Sequence, residues 1–470
     1  MNPILPPDIR LQRHSDEPLF VQLCDLVRQR ISEQLIESGT RLPASRNLAA
    51  TLDISRGTVV TAYEQLAAEG YIEGRRGSGF YVRDISRGTS IEAARPRDVR
   101  NIAREHDFQA PIAHPGYPDK RLFPARQWAR CLARSARVNP QSMAINTSRL
   151  GDPRLREAIA AYLADWRGMS VDPGQILITA GSVDALETCL RTMCRAGEDV
   201  ALENPCYPPL RHIAENLGAN IQWLPVGNNG ARLPDGKPRL VVLTPSHQFP
   251  LGGTMPVQRR HEYLQWANDN SSWILEDDYD SEFRYAGRPI PALASLDTRE
   301  RTIYVGTFSK VFSVGLRLGY LIMPQSLVGD FERTLTYFGI KAALPCQPAL
   351  ADFIESGEFY RHIRRVRRIY QERRRLLIEL LQQQLAPWIE FDDHQAGMLI
   401  TVRFKNELDD KEIAKRCRDD GVIFPALSEY YTQAPAQSGL LLGFCPFDDT
   451  EIRDNMAILE KHLRALAPES

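Results

Sequence analysis

Residues 303–320 read IYVGTFSKVFSVGLRLGY. An apolar run of strand character ends in small hydroxyl residues, and Lys310 follows at once, with Arg317 and two glycines close behind. A lysine amine can form a Schiff base with an aldehyde when it is neutral, and burial or neighbouring cations lower its pKa toward that state. Taken alone, the same lysine is more often an ordinary surface charge. The rest of the chain has to decide.

Working outward, apolar runs alternate with helical segments: QILITAG, DVALENP, IQWLPV, LVVLTPS, WILEDDY, TIYVGTFS and LGYLIMP. Such alternation predicts a large α/β domain with a mostly parallel or mixed sheet. Pyridoxal phosphate needs an acid beside its pyridine nitrogen to keep the ring an electron sink. WILEDDYDSEFRY offers Asp277 and Asp278 at a strand end, with Tyr279 placed to donate to the ring phenolate oxygen. ITAGSVDALETCL reads as a strand running into a helix, and Gly181 and Ser182 at the helix start make an anion site. Thr307, Ser309 and Arg317 add hydroxyls and a guanidinium from the other side, and Tyr207 in ENPCYPP can stack on the ring. Each piece has a plainer reading as a capped helix, a solvated loop or a core tyrosine. Their order along an α/β chain favours the joint one.

The first eighty residues are of another kind. PLFVQLCDLVRQRISEQLIESG has helical spacing that runs on to Gly39; LPASRNLAATLDIS is a short helix and turn; SRGTVVTAYEQLAAEG is a third helix, capped by Ser55 and closed by Gly70. YIEGRRGSGFYV follows as two short strands around a basic, glycine-rich tip. Three helices and a hairpin wing make a winged helix-turn-helix over residues 1–83. Arg56, Thr58 and Thr61 lie where a recognition helix meets base edges; Arg41 and Arg46 suit phosphates, Ser45 between them is a further DNA-binding candidate, and Arg75 and Arg76 suit a wing lying against phosphate or in the minor groove. Residues 1–88 carry eleven arginines, eleven acids and no lysine, so placement rather than net charge carries the DNA-binding expectation. Residues 84–106, charged and weakly apolar, read as a linker to the domain at 107–470.

The bounds agree. A chain of 470 residues is too long for one core. With 43% apolar residues, 25% charged residues and net charge −1, it is no bulk polyanion binder. No apolar run is long enough for a bilayer, and MNPILPPDIR lacks a signal-peptide pattern. The eight cysteines form no CxxC pair and no zinc spacing, so no metal site is expected, and the expected compartment is cytoplasm or nucleoid.

GTRLPASRNLAATLDISRGTVVTAYEQLAAEGYIEGRRGSGFYV closely resembles the GntR-family winged helix-turn-helix, with Ala44 where serine is usual. Residues 107–470 resemble a fold-type I aminotransferase domain through TPSHQFPLGGTMP, EDDYDSEFRY, GTFSKVFSVGLRLGY, RHIRRVRRIYQERRRLL and PALSEYY. The tandem resembles the MocR/GabR regulators. By position, the resemblance makes Lys310 the internal-aldimine lysine, Asp277 the pyridine-nitrogen partner, Tyr279 the phenolate donor and Tyr207 the stacking tyrosine. It makes Ser182, Ser309 and Arg317 phosphate contacts and puts His247 and Gln248 beside the ring. It also implies a homodimer, with a head-to-tail exchange of DNA heads open.

Departures from the family bear on the ligand. GLLLGFCPF places Leu441 where many relatives carry a carboxylate-gripping arginine; Pro209 and Asn146 stand where arginine and tyrosine occur. Losing a bidentate arginine removes about 2–4 kcal/mol of carboxylate affinity, so GABA or an ordinary α-amino acid held in the usual way is not expected. Arg211, Arg284 and Arg288 are the substitutes to consider. The expected function is a regulator that binds double-stranded promoter DNA and senses an amine or amino compound, with full transamination turnover not expected. A regulator of vitamin B6 supply sensing the cofactor itself, and a working aminotransferase with a DNA module, remain as alternatives. In RHIRRVRRIYQERRR, eight arginines against one glutamate read as a solvated helix packed through Ile363, Val366 and Tyr370, or as a further phosphate-contacting face.

Overall fold

Helical spacing of apolar residues builds the first unit. In the computed structural model, which describes residues 11–13, 17–84, 116–138, 140–143, 148–287 and 290–466, α1 (Leu19–Ser32), α2 (Ser45–Leu52) and α3 (Arg56–Ala68) enclose a core of Leu23, Val27, Leu48, Val59, Tyr63 and Leu66. The Ser55 hydroxyl accepts from the Thr58 N–H at 3.0 Å, capping α3. β1 (Ile72–Arg75) and β2 (Gly79–Val82) pair antiparallel as the wing. The first helix stops at Ser32, short of Gly39: the N–H groups of Leu35 and Ile36 both turn back to the Arg30 carbonyl, and Gln34 adopts φ 59°. That turn delivers Ile36 into the core.

Two compact units divide the chain, Met1–Asp107 and Phe108–Ser470. The linker expected over 84–106 lies, apart from Asp84, outside the described residues, as do Asn146 and Arg288.

In the second unit the apolar runs become strands: β3 (Ile176–Thr179), β4 (Asp199–Asn204), β5 (Asn220–Gly227), β6 (Gly230–Ala231), β7 (Leu240–Leu243), β8 (Trp273–Asp278), β9 (Thr302–Thr307) and β10 (Gly319–Ile322). They form one sheet in the order β3-β10-β9-β8-β7-β4-β5-β6. The pairs β4·β5, β4·β7, β7·β8 and β8·β9 are parallel, while β10 runs antiparallel to both its neighbours, so the sheet is mixed. The central strands are buried throughout, as a sheet covered on both faces requires. Its helices include α4 (Ala125–Val138), α5 (Pro153–Arg167), α6 (Ser182–Met193), α7 (Pro208–Asn216), α8 (Val257–Asn270), α9 (Val328–Phe338) and α10 (Gln347–Glu355). α11 (Glu358–Leu380), α12 (Asp410–Asp419) and α13 (Asp449–Leu466) accompany a small antiparallel sheet, β11 (Ile389–Phe391), β12 (Leu399–Phe404) and β13 (Gly439–Gly443).

The arginine-rich α11 divides its charges. Ile363, Val366 and Tyr370 are buried, and so are Arg373 and Arg374, which pair with Asp119 and Asp393. Arg367 lies over the Trp166 ring, while Arg364 and Arg368 are exposed. Part of the charge run is therefore structural.

Candidate cofactor and ligand site

Successive side chains of a strand point to opposite faces, and that alternation separates the two aspartates at the end of β8. Asp278 turns to the Arg167 guanidinium at 2.8 Å and to the Tyr304 hydroxyl at 2.5 Å. Asp277 turns to a cavity of about 290 Å3 that Lys310 also lines. Asp277 is only 7% exposed, and its Oδ1 has no hydrogen-bond partner. Burial, with the charges of Asp278 and Glu203 adding to it, pushes its carboxyl up to about 7. Lys310 Nζ donates to the Gly116 carbonyl at 2.7 Å. Dehydration lowers its pKa, opposed by the nearby Asp280 and Asp277.

Strand β10 brings together the two turns expected to hold an anion. Gly319 stands opposite Thr179 of β3 on one side and Thr307 of β9 on the other. A Cβ on Gly319 would come within 2.9 Å of the Gly181 carbonyl carbon, so only glycine permits the approach. The turn Gly181–Ser182 at the start of α6 therefore lies beside the turn after β9, where the Ser309 N–H donates to Thr307 Oγ1 at 3.1 Å. Gly181 has φ 91°, a left-handed conformation that favours glycine. Arg317 is exposed beyond this turn and makes no ion pair among the described residues. A helix start with hydroxyls at one end and an orphaned buried carboxylate oxygen at the other match the phosphate and the pyridine nitrogen of pyridoxal phosphate. The residues fit the group.

Ser182, Tyr207, Asp277, Tyr279 and Lys310 line the cavity together. His247 lies behind Tyr279: its Nδ1 is 2.9 Å from the half-buried Tyr279 hydroxyl and 3.0 Å from the buried Asp280 Oδ2, a chain of three side chains. Gln248 is turned away; its amide donates to the carbonyls of Pro205 and Phe249 at 3.0 and 2.8 Å. Asp280 and Tyr430, which the sequence reading did not assign, also line the cavity; both lie within motifs it singled out, three residues after Asp277 and inside PALSEYY.

Leu441 and Pro209 form part of the wall, and the described lining includes no arginine. Arg284 lines a separate small cavity, and Arg211 reaches toward Glu215 at 3.8 Å. The cavity therefore offers a lysine amine, acids and phenols, without a guanidinium among the described lining residues.

In the first unit Arg56 and Thr61 are exposed along the N-terminal half of α3, while the Thr58 hydroxyl is taken up by Ser55 at 2.8 Å. Arg46 and Arg76 are exposed, and Ser45, which opens α2, is half-buried. Arg41 is tied to the wing through a bridge to Tyr81. Arg75 folds onto its own hairpin, 2.8 Å from Glu73 and over the Tyr81 ring.

Known proteins with the same two parts set the family. Residues 20–82 match bacterial regulatory proteins of the gntR family, and residues 118–441 match aminotransferase class I and II. The chain is 37% identical to the probable rhizopine catabolism regulatory protein MocR of Rhizobium meliloti, over 97% of this chain and 96% of that one. It is 33% identical to the HTH-type pyridoxine biosynthesis transcriptional regulator PdxR of Corynebacterium glutamicum, over 95% and 96%. Among solved structures, an archaeal alanine:glyoxylate aminotransferase superposes with TM-score 0.69 at 28% identity, over 74% of this chain and 88% of that one. No helix among the described residues is long and apolar enough to cross a membrane. The chain belongs to the MocR family of transcriptional regulators, in which a GntR-type DNA-binding helix-turn-helix precedes an aminotransferase-like domain.

Proposed function

We propose that residues 1–83 bind promoter DNA and that residues 107–470 hold pyridoxal phosphate at Lys310 and use it to register an amine or amino compound. The observation that carries this reading is the orphaned Asp277 oxygen in the cavity shared with Lys310. Bound there, pyridoxal phosphate supplies an aldehyde that captures amines and a ring that withdraws electrons. Burial makes Lys310 shed its proton more readily, which readies the amine as a nucleophile. Asp277 holds a proton at the pyridine nitrogen. Tyr279, fixed by His247 and Asp280, presents its hydroxyl to the ring oxygen. The N–H groups opening α6, with Ser182 and Ser309, hold the phosphate.

Turnover is disfavoured because the wall position that would grip a substrate carboxylate is Leu441. The regulator acts as a homodimer in the cytoplasm, each copy contributing one head to a paired DNA site.

The test is a visible-spectrum titration of protein reconstituted with pyridoxal phosphate, using a panel of amines, followed by footprinting with any hit. The reading expects a cofactor absorbance band in the native protein that Lys310→Ala abolishes, and a change in footprint with the responding amine. A band unaffected by that substitution would sink it. One relative is named for pyridoxine biosynthesis, which favours a second reading in which the cofactor itself is the signal; this requires different DNA affinities with and without cofactor when no amine is present.

A further inference from the structure

A second, larger cavity of about 600 Å3 adjoins Glu203, the β5–β6 turn at Asn228, the loop carrying Thr244 and Gln248, and the segment at His394. Nothing in the cofactor reading uses it. Glu203 is 4% exposed. Its Oε2 accepts from the Thr244 N–H at 3.2 Å, the Thr244 hydroxyl at 2.5 Å and the Gln248 amide at 3.3 Å, while its Oε1 has no partner. Neither protonation state satisfies Oε1, since the carboxylate lacks a donor there and the acid lacks an acceptor. A buried polar atom in that condition calls for a partner.

The charges around the cavity specify the partner's sign. Asp392 is committed to Arg403 at 3.0 Å, and Asp393 to Arg374. Arg403 is also held by Glu390 at 3.1 Å, so it is not free to serve an anion. Burial and the neighbouring His247 lower the pKa of His394, which favours its neutral form. Among the described residues the remaining acid in the wall is Glu203; burial pushes its carboxyl up to about 7, and a cation beside Oε1 favours its ionised form. No group of three or more His, Cys, Asp or Glu side chains among the described residues is arranged to hold a metal ion. An organic cation fits better than an inorganic one.

We propose that this second cavity binds a small organic ammonium ion whose N–H donates to Glu203 Oε1, with the exposed Asn228 at the cavity mouth as the candidate partner for a further polar group. The site stands apart from Lys310 and forms no covalent bond. It can still influence the first cavity, because the charge of Glu203 is one of those acting on Asp277.

The test uses full-length protein and N,N-dimethylethanolamine, a tertiary ammonium that donates one N–H and cannot condense with an aldehyde. Calorimetric titration should show saturable binding. Glu203→Gln should weaken it about tenfold or more by removing a charge-assisted bond, and Asn228→Trp, an exposed substitution at the cavity mouth, should weaken it by obstruction. Isoamyl alcohol, the uncharged carbon isostere, should not compete. Where Glu203→Gln loses its native circular dichroism, Asn228→Trp decides. Absence of saturation, equal binding of the alcohol, or native affinity in the folded variants overturns the proposal. Loss of the signal in Lys310→Ala would assign the ligand to the first cavity and also overturn it, whereas failure of the cofactor reading leaves this site untouched.

Discussion

Asp277→Asn should make the cofactor-free protein more stable at pH 8 and no more stable at pH 3.5. The unfolded chain titrates this carboxyl near its ordinary 3.8, while burial in the folded state pushes it up to about 7. Between those values the folded state keeps a proton that the unfolded state has lost. Stability contributed by this group therefore falls as pH rises from about 4 to about 7. The gap of about three pH units, at about 1.4 kcal/mol each, comes to about 4 kcal/mol once the carboxylate is ionised in both states. Asparagine escapes that penalty but leaves its own amide without a partner, which returns about 1–3 kcal/mol. The expected net gain at pH 8 is then about 1–3 kcal/mol. All six tryptophans, Trp128, Trp166, Trp223, Trp266, Trp273 and Trp388, lie in the second unit, so intrinsic fluorescence during urea unfolding reports that unit alone. The same variant should gain much less stability than the native protein when pyridoxal phosphate is added, because the acid at the pyridine nitrogen is gone. A stability difference that stays constant from pH 3.5 to 8, or a variant less stable at pH 8, refutes the argument.

Leu441→Arg should supply the missing guanidinium and raise affinity for an α-amino acid about 10- to 100-fold; spectral titration of the cofactor-loaded variant measures it, and unchanged affinity would mean the wall at this position does not face the ligand. Arg56→Ala and Arg76→Ala should each weaken DNA binding and reduce the steepness of its salt dependence by about one, whereas Arg75→Ala should do less because Glu73 already holds that side chain; mobility shifts over a salt series compare them. Ser55→Ala should destabilise the first unit by about 1 kcal/mol by uncapping α3, read as a lower melting midpoint of the isolated far-UV transition, and an unchanged midpoint would discount the cap.

Periodic features were legible in the sequence because they repeat over many residues. The seven apolar runs became seven strands of one sheet, and Ser55 became the cap it was expected to be. What single residues decide was harder. The end of α1 depended on Gln34 turning to positive φ, which no spacing rule announces. The residues alone offer both Asp277 and Asp278 at the strand end, and only the family resemblance selects Asp277; in the fold it is Arg167, more than a hundred residues away, that claims Asp278. Arg75 suits a phosphate by its place at the hairpin tip, but in the folded wing it pairs with Glu73 two residues back on its own strand and lies over the Tyr81 ring of the facing strand. Gln248 does not line the Lys310 cavity for a similar reason, its amide being satisfied by backbone carbonyls.

The insertion of β10 between β3 and β9 has a temporal meaning. Gly181 and Thr307 become neighbours only after Gly319 docks between them, so contacts separated by well over a hundred residues must form together, at a high loop-closure cost. During synthesis the first unit emerges long before that strand. A nascent or truncated chain ending ahead of Gly319 would then carry the helix-turn-helix unit without the assembled pocket proposed above to regulate it. Comparing operator binding by a chain stopped at residue 315 with that of the complete chain would show whether such heads occupy DNA.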